Sequence, residues 1–516
     1  MIMENVMKSI ELIPTRVERK ELLCVIAAAT VIYAFHQLIL VKHEQVQKEI
    51  PTPPLSFPIV GHMFSLGALP GRTFSQWHSK LGPILKIKMG IRTWIIVDDP
   101  YLAHKIFATN GADTSFRPVN NFGDEHYSFH GKGMIFSQPD GPGPNPRSVV
   151  SSIMGPKQIF KYMDSIEREA NDLVNRCIDH TEKNGGTHPT QFFALNSINV
   201  MVSALFGKRF DSVQDPEFIQ LSSLVEESIK FSGLESDLAN FLPIFSVYNY
   251  LTGTEAKMKH HINQRRNPLY QKLIKEAAAR EGPNAVKSLL ESDFDLLEED
   301  LITFMSDLIV AGMDTVTLTL TWNVAIMCHY PDVQQKVFEE IDHFMKSHGR
   351  LPQFKEREEL PYCISVIKEC MRYKPTTPFG LIHVNRHELK VDGYTIPEGS
   401  SIISNMDSIH KRPEIYPEPE KFLPERFLNN LRTMQSAANG KIEDRDHYNF
   451  GWGRRICPGI HIADVEMFSA FVQIYSKCLI EPYDRMPDIE GAVNAGLVLT
   501  PHPFKVKFTK RSVCHL

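Results

Sequence analysis

Residues 450–459 read Phe450-Gly451-Trp452-Gly453-Arg454-Arg455-Ile456-Cys457-Pro458-Gly459. One cysteine sits in a glycine-punctuated loop, with two arginines before it and an apolar, helix-like pattern after it. Free cysteines are mostly small buried hydrophobes, but a backbone this rich in glycine can aim several amides at one sulfur. Arg454, Arg455 and the start of the following helix are expected to lower the thiol's pKa and favour thiolate. Such a sulfur is a nucleophile or a metal ligand.

The chain around this loop has 516 residues, 42 % hydrophobic and 23 % charged, with a net charge of −5. By length alone it holds two or three ordinary domains. Lys and Arg are spread rather than striped, which argues against a nucleic-acid partner. The eight cysteines, at 24, 177, 328, 363, 370, 457, 478 and 514, form no C-x-x-C pair. Neither a disulfide scaffold nor a zinc site suits that spacing.

The loop resembles F-x-x-G-x-R-x-C-x-G, the haem-thiolate signature of the cytochrome P450 family, at Phe450, Gly453, Arg455, Cys457 and Gly459. Three further motifs follow the same family. Ala311-Gly312-Met313-Asp314-Thr315 resembles A-G-x-D-T, inside a helical pattern running from Asp295 to about His329, with Asp295 and Glu298 as its start signal. A glycine there costs about 1 kcal/mol against alanine. The resemblance implies that Ala311 and Gly312 leave room for dioxygen. Thr315 can bond back to a carbonyl and open the helix, and Asp314 with Thr315 would relay protons. Glu369-Cys370-Met371-Arg372 resembles E-x-x-R, two residues sharing one helix face, with Arg426 of Pro424-Glu425-Arg426-Phe427 as its partner. The family implies a buried structural lock. Cys363 and Cys370 read as core.

The implied fold is mainly α with small β-sheets, haem lying between a long distal helix and the proximal cysteine loop. The resemblance makes Cys457 the axial ligand of haem b. It departs from the family at Gly141-Pro142-Gly143-Pro144-Asn145-Pro146-Arg147-Ser148, which lacks the usual Trp and one of two propionate-binding arginines. His383, Arg455 and Arg147 are therefore the expected propionate partners. Phe129, Phe379, Leu381, Ile382 and Val498 are expected to line an apolar substrate pocket, with Leu497 beside them.

Residues 1–21 form an N-terminal segment. Leu22 to Val41 is an apolar run of twenty, about 30 Å as a helix, and reads as an anchor because it outlasts the apolar core of a signal peptide. Arg16, Arg19 and Lys20 favour a cytosolic N-terminus, against Glu11, Glu18 and Glu21; the resemblance implies a cytosolic catalytic domain on an endoplasmic reticulum membrane. Residues 42–61 are a charged, then proline-rich linker, and 62–516 the catalytic domain. Pro83 to Asp99 reads as a hairpin, 115–146 as a long loop over the pocket, and Lys157 to Glu281 as helices broken near Pro216 and Pro243. Phe231 to Tyr250 reads as core, channel lining or membrane contact. Thr376 to Asn405 reads as short strands turning at Asp392-Gly393-Tyr394, and Leu497 to Phe508 as a closing hairpin.

The resemblance covers about residues 50–510 and is to microsomal, fungal-type members. It implies hydroxylation of a lipophilic small molecule, with electrons from NADPH through NADPH-cytochrome P450 reductase and with cytochrome b5 as a second donor. Two alternatives are a haem-thiolate isomerase or dehydratase acting on peroxides, whose members often lack the acid–alcohol pair, and a non-catalytic haem- or lipid-binding protein.

Overall fold

The computed structural model describes residues 48–511, apart from 142, 234–237, 244, 246–248 and 250. The apolar run 22–41, its flanks, residues 42–47 of the linker, Cys24 and Cys514 lie outside the described residues, as does much of the 231–250 stretch.

Proline places many of the helix starts, because its fixed φ suits the first turn and its missing N–H is not needed there. It opens α1 (Pro70–Leu81), α2 (Pro146–Met154), α4 (Pro189–Phe206), α5 (Pro216–Phe231), α8 (Pro331–His348) and α9 (Pro361–Tyr373). Between them run α3 (Met163–Asn184), α6 (Asn267–Ala279) and α7 (Glu298–His329), and α10 (Ile460–Lys477) follows the cysteine loop. The helical stretch from 157 to 281 breaks at more places than its prolines show. Gly185 and Gly207, at φ +76° and +64°, end α3 and α4 as left-handed caps.

Helix α7 is the core of the fold, packed most extensively on α4. It is long and apolar enough to cross a membrane, but most of it is buried among other helices. It starts at Glu298 rather than Asp295. Asp300 Oδ2 accepts the Leu297 N–H at 3.0 Å, so the carboxylate inside the first turn makes the cap. Glu298, Glu299 and Asp300 also place negative charge on the helix's positive end.

Strands β1 (Ile84–Met89) and β2 (Arg92–Val97) form the expected hairpin, pairing Ile84 with Val97 and Met89 with Arg92. Strands β3 (His383–Val384), β4 (Leu389–Val391), β5 (Tyr394–Ile396) and β6 (Ser401–Ser404) follow α9. Parallel pairing of β2 with β6, and antiparallel pairing of β6 with β3, complete a four-stranded sheet. The β4–β5 turn uses only Asp392 and Gly393, both at positive φ; Tyr394 already belongs to β5. The proline-rich stretch is docked from Lys48 onward instead of standing free. Ile50 is buried, Pro51 O accepts the Lys86 N–H, and the His62 ring bonds Pro53 O.

Two loop readings change. Within 115–146, Asn121–Tyr127 is a π-helical turn capped by the Asn120 side chain. Residues 497–508 do not pair with each other. β9 (Leu499–Thr500) pairs with β8 (Val493–Asn494), and β10 (Val506–Lys510) pairs with β7 (Cys478–Pro482). β8 lies four residues before β9 and makes a short local hairpin with it, whereas β7 lies more than twenty residues before β10, beyond the reach of a local alternation pattern.

Candidate active site

The cysteine loop closes through one backbone bond, Cys457 N–H to Phe450 O at 2.8 Å. Gly453, at φ +51°, is pressed against the chain behind it: a Cβ there would stand 2.3 Å from Phe107 O. At Gly459 a Cβ would lie 3.8 Å from Cys457 Sγ, an ordinary contact. Phe450 packs against the His447 ring at 5.6 Å. Of these two glycines, Gly453 is the one that a close backbone approach requires.

The arginines behave differently from expectation. Arg455 turns away from the sulfur: its Nε donates to Ser115 O at 2.9 Å, and the guanidinium also reaches Met134 O and Ser137 O. Arg454 is exposed. The cation that acts on Cys457 is Arg147, whose guanidinium donates to Arg454 O at 2.7 Å and Ile456 O at 2.8 Å. Burial pushes the Cys457 thiol up, while the Gly459 amide and Arg147 pull it down. Arg147, expected on a propionate, also clamps the proximal loop backbone.

A third arginine, absent from the sequence reading, completes the group. Arg117 is buried, donating from Nε to Ile135 O at 3.1 Å and from NH1 to Ile382 O at 2.7 Å and Leu381 O at 3.3 Å. His383 is buried beside it, its Nδ1 2.8 Å from Thr114 O. Burial, then Arg455, lowers the Arg117 pKa; burial, then Arg117, holds His383 well below the usual imidazole range. Arg455 is lowered to about 10 by burial and by Arg147. None of these basic groups has a carboxylate partner among the described residues. Buried like charges repel unless an anion joins them, and two carboxylates of one ligand fit that need. Only the dipeptide Arg117-Pro118 marks the spot in sequence, which is no signal by itself.

On the distal helix, Thr315 Oγ1 donates to Ala311 O at 2.9 Å, the expected back-bond. Ala311 is exposed to the open space along α7. A Cβ at Gly312 would meet Met201 Sδ at 2.7 Å, so this glycine admits the Met201 side chain of helix α4. The half-buried Asp314 has its pKa raised to about 7, first by burial and then by Glu226 on α5. A carboxyl holding its proton near neutrality can donate one.

Two turns before Asp314, buried Asp307 Oδ2 accepts the N–H groups of Met134 at 2.6 Å and Ile135 at 3.1 Å. Gly133, at φ +74°, allows that approach, since a Cβ would lie 2.4 Å from Thr303 Cγ2. The 133–137 turn is therefore strapped to α7 on one side and to Arg117 and Arg455 on the other.

Behind the cysteine loop, Glu369 and Arg372 are fully buried and doubly bonded, both contacts at 2.7 Å. Arg426 Nε reaches Glu369 Oε1 at 3.3 Å and the Leu423 amide donates to the same oxygen at 2.8 Å. Arg372 also donates to His410 O, Pro419 O and Lys421 O. Cys363 and Cys370 are core. The five expected pocket residues divide: Phe129 and Val498 pack with the helical core, Phe379 and Ile382 with the sheet-side cluster, and the Leu381 carbonyl serves Arg117.

Residues 51–508 match the family model described as Cytochrome P450. Among curated relatives, Cytochrome P450 1A1 of Opsanus tau is 26 % identical over 468 residues, covering 84 % of this chain and 87 % of the relative. Cytochrome P450 monooxygenase 231 of Postia placenta is 27 % identical over 518 residues, covering 90 % of each. Trans-cinnamate 4-monooxygenase of Catharanthus roseus is 28 % identical over 435 residues, covering 80 % and 84 %.

Proposed function

The chain belongs to the cytochrome P450 family and is a haem-thiolate monooxygenase; from that premise we propose that it hydroxylates a lipophilic small molecule, with electrons from NADPH through NADPH-cytochrome P450 reductase and with cytochrome b5 as a second donor. The observation that carries the site assignment is the set of buried Arg117 and His383 with half-buried Arg455, basic and without a carboxylate partner among the described residues, beside the Cys457 loop. Those three residues would hold the propionates of haem b, and Cys457 would be the axial ligand. When bound, the haem supplies oxygen activation, and a thiolate ligand favours O–O cleavage.

The protein's own groups then have separate tasks. Arg147 fixes the carbonyls on either side of Arg455 and so holds the sulfur's position. Ala311 leaves the distal side open. Thr315 can exchange its bond to Ala311 O for one to water, passing a proton that the Asp314 carboxyl holds near neutral pH. The Glu369–Arg372–Arg426 group keeps the proximal side rigid. An endoplasmic reticulum location, with anchor 22–41 and a cytosolic catalytic domain, is supported by exposed apolar side chains in the linker and just after it: Leu55, Phe57 and Ile59, then Phe64, the last 79 % exposed.

A carbon monoxide difference spectrum of the reduced protein tests the ligand. Wild type should show the thiolate Soret band and Cys457→Ala should not; a retained thiolate band would reassign the ligand. Consumption of NADPH and oxygen with a reductase present separates monooxygenation from peroxide isomerisation.

A further inference from the structure

Away from the cysteine loop and the Ala311–Thr315 stretch, a small cavity opens where four parts of the chain meet beside a fifth, the segment of Asp407 and Lys411. The four are the start of α1 (Gly71, Arg72), Trp322 of α7, the segment after α9 (Lys374 to Phe379) and the β8–β9 region as far as Leu499. Cys457, Ala311, Asp314, Thr315 and Arg117 do not line it.

Lys374 is its distinctive residue. The side chain is half-buried, and its ammonium makes no hydrogen bond or ion pair among the described residues. It lies instead over the rings of Tyr373, at 4.9 Å, and Trp322, at 5.8 Å. A long amine held over aromatic faces, with its three donors unused, is an open binding group. Two more cations, Arg72 and Lys411, line the same cavity against one carboxylate, Asp407, which pairs with Lys411 at 3.2 Å. The lining is therefore positive. Its floor is apolar and buried, with Trp322 2 % exposed and Pro375 and Pro378 beside it, while Arg72 and Asn494 are exposed at the mouth. Burial lowers the Lys374 pKa; Glu490 and Asp407 act in the opposite sense, and Lys411 and Arg72 in the same sense.

We propose that this cavity binds a small organic carboxylate, its oxygens on Lys374 and its apolar body against Trp322 and Phe379. A cationic ligand would meet the three positive groups, and a neutral apolar one would leave the Lys374 donors unmet. The space, about 40 Å³, holds on the order of three waters. It encloses a carboxylate and its first carbons, and the remainder of the ligand extends toward the mouth.

Lysine footprinting on the haem-loaded, full-length protein tests this. Acetic anhydride labelling of Lys374 is read by mass spectrometry against benzoate concentration, with the Soret band recorded in parallel. Saturable protection of Lys374 is expected, with no change in the Soret band and none of the protection given by benzylammonium. Calorimetry should show benzoate affinity falling about tenfold or more in Lys374→Met and largely kept in Lys374→Arg. Unaltered affinity in Lys374→Met overturns the assignment, as does protection that tracks a Soret shift. Inorganic phosphate binding as tightly as benzoate marks a nonspecific anion contact and also overturns it.

Discussion

Replacing Asp307 tests whether the loop over the site is held by one buried carboxylate. The loss in Asp307→Ala has two parts. Two charge-assisted hydrogen bonds, to the amides of Met134 and Ile135, disappear, each contributing about 1.5–3 kcal/mol. Against this, burial raises the Asp307 pKa from 3.8 to about 6, so the ionised form carries a penalty of about 3 kcal/mol in the folded state. The alanine variant escapes that penalty but leaves two amides without their acceptor, and the net loosening of the 133–137 turn is about 2 kcal/mol. Asp307→Asn keeps an acceptor oxygen and cannot ionise, so its net effect near pH 7 is close to zero. The sign of the pH dependence follows from the direction of the shift. Because the folded pKa is raised, the folded state holds the proton more tightly, and stability falls as pH rises from about 4 to about 6. The asparagine variant lacks that slope. Hydrogen exchange at the Met134 and Ile135 amides reads the loop directly; 2 kcal/mol is about a thirtyfold faster exchange in the alanine variant. Equal protection in all three proteins, or an asparagine variant as loose as the alanine one, would refute the strap.

Arg117→Leu removes one of the buried cations, and haem transfer to apomyoglobin should accelerate about tenfold or more; an unchanged rate would remove Arg117 from the propionate set. Arg372→Ala leaves buried Glu369 with Arg426 as its remaining cation and the His410 and Pro419 carbonyls without their donor, a cost of about 3–5 kcal/mol against a total stability on the usual scale of about 5–15 kcal/mol. Denaturant unfolding should show that loss or no folded protein at all, and a loss under about 1 kcal/mol, the range of an exposed pair, would contradict the burial argument. Gly312→Ala forces a methyl onto Met201, costing about 1–3 kcal/mol by overpacking against about 1 kcal/mol gained in helix propensity. Adding Met201→Ala should relieve the clash, and a purely additive double-mutant cycle would show that the two residues do not touch.

What could be read from the residues alone was whatever is built within a few positions of chain. The Thr315 back-bond spans four residues, the Glu369–Arg372 pair three, the β1–β2 hairpin one tight turn, and the Phe450–Cys457 loop closes on itself. In each case the geometry of a helical turn or a short loop makes spacing equivalent to contact. The destinations of side chains were not legible. Arg455 and Arg147 are near Cys457 in different senses, yet the distant one acts on the sulfur and the adjacent one turns to carbonyls at 115, 134 and 137. Arg117 finds acceptors 18 and 265 positions away, and Gly312 is explained by a methionine on another helix.

The motifs, the helix starts at proline and the long central helix were thus determined by sequence, because each is a local arrangement of backbone and neighbouring side chains. Which cations gather beside the cysteine loop, which glycine lies against another helix and where β10 pairs were decided by tertiary structure. Those outcomes depend on burial: a guanidinium removed from water must take whatever oxygen lies within reach, and only the packed chain determines which oxygens those are.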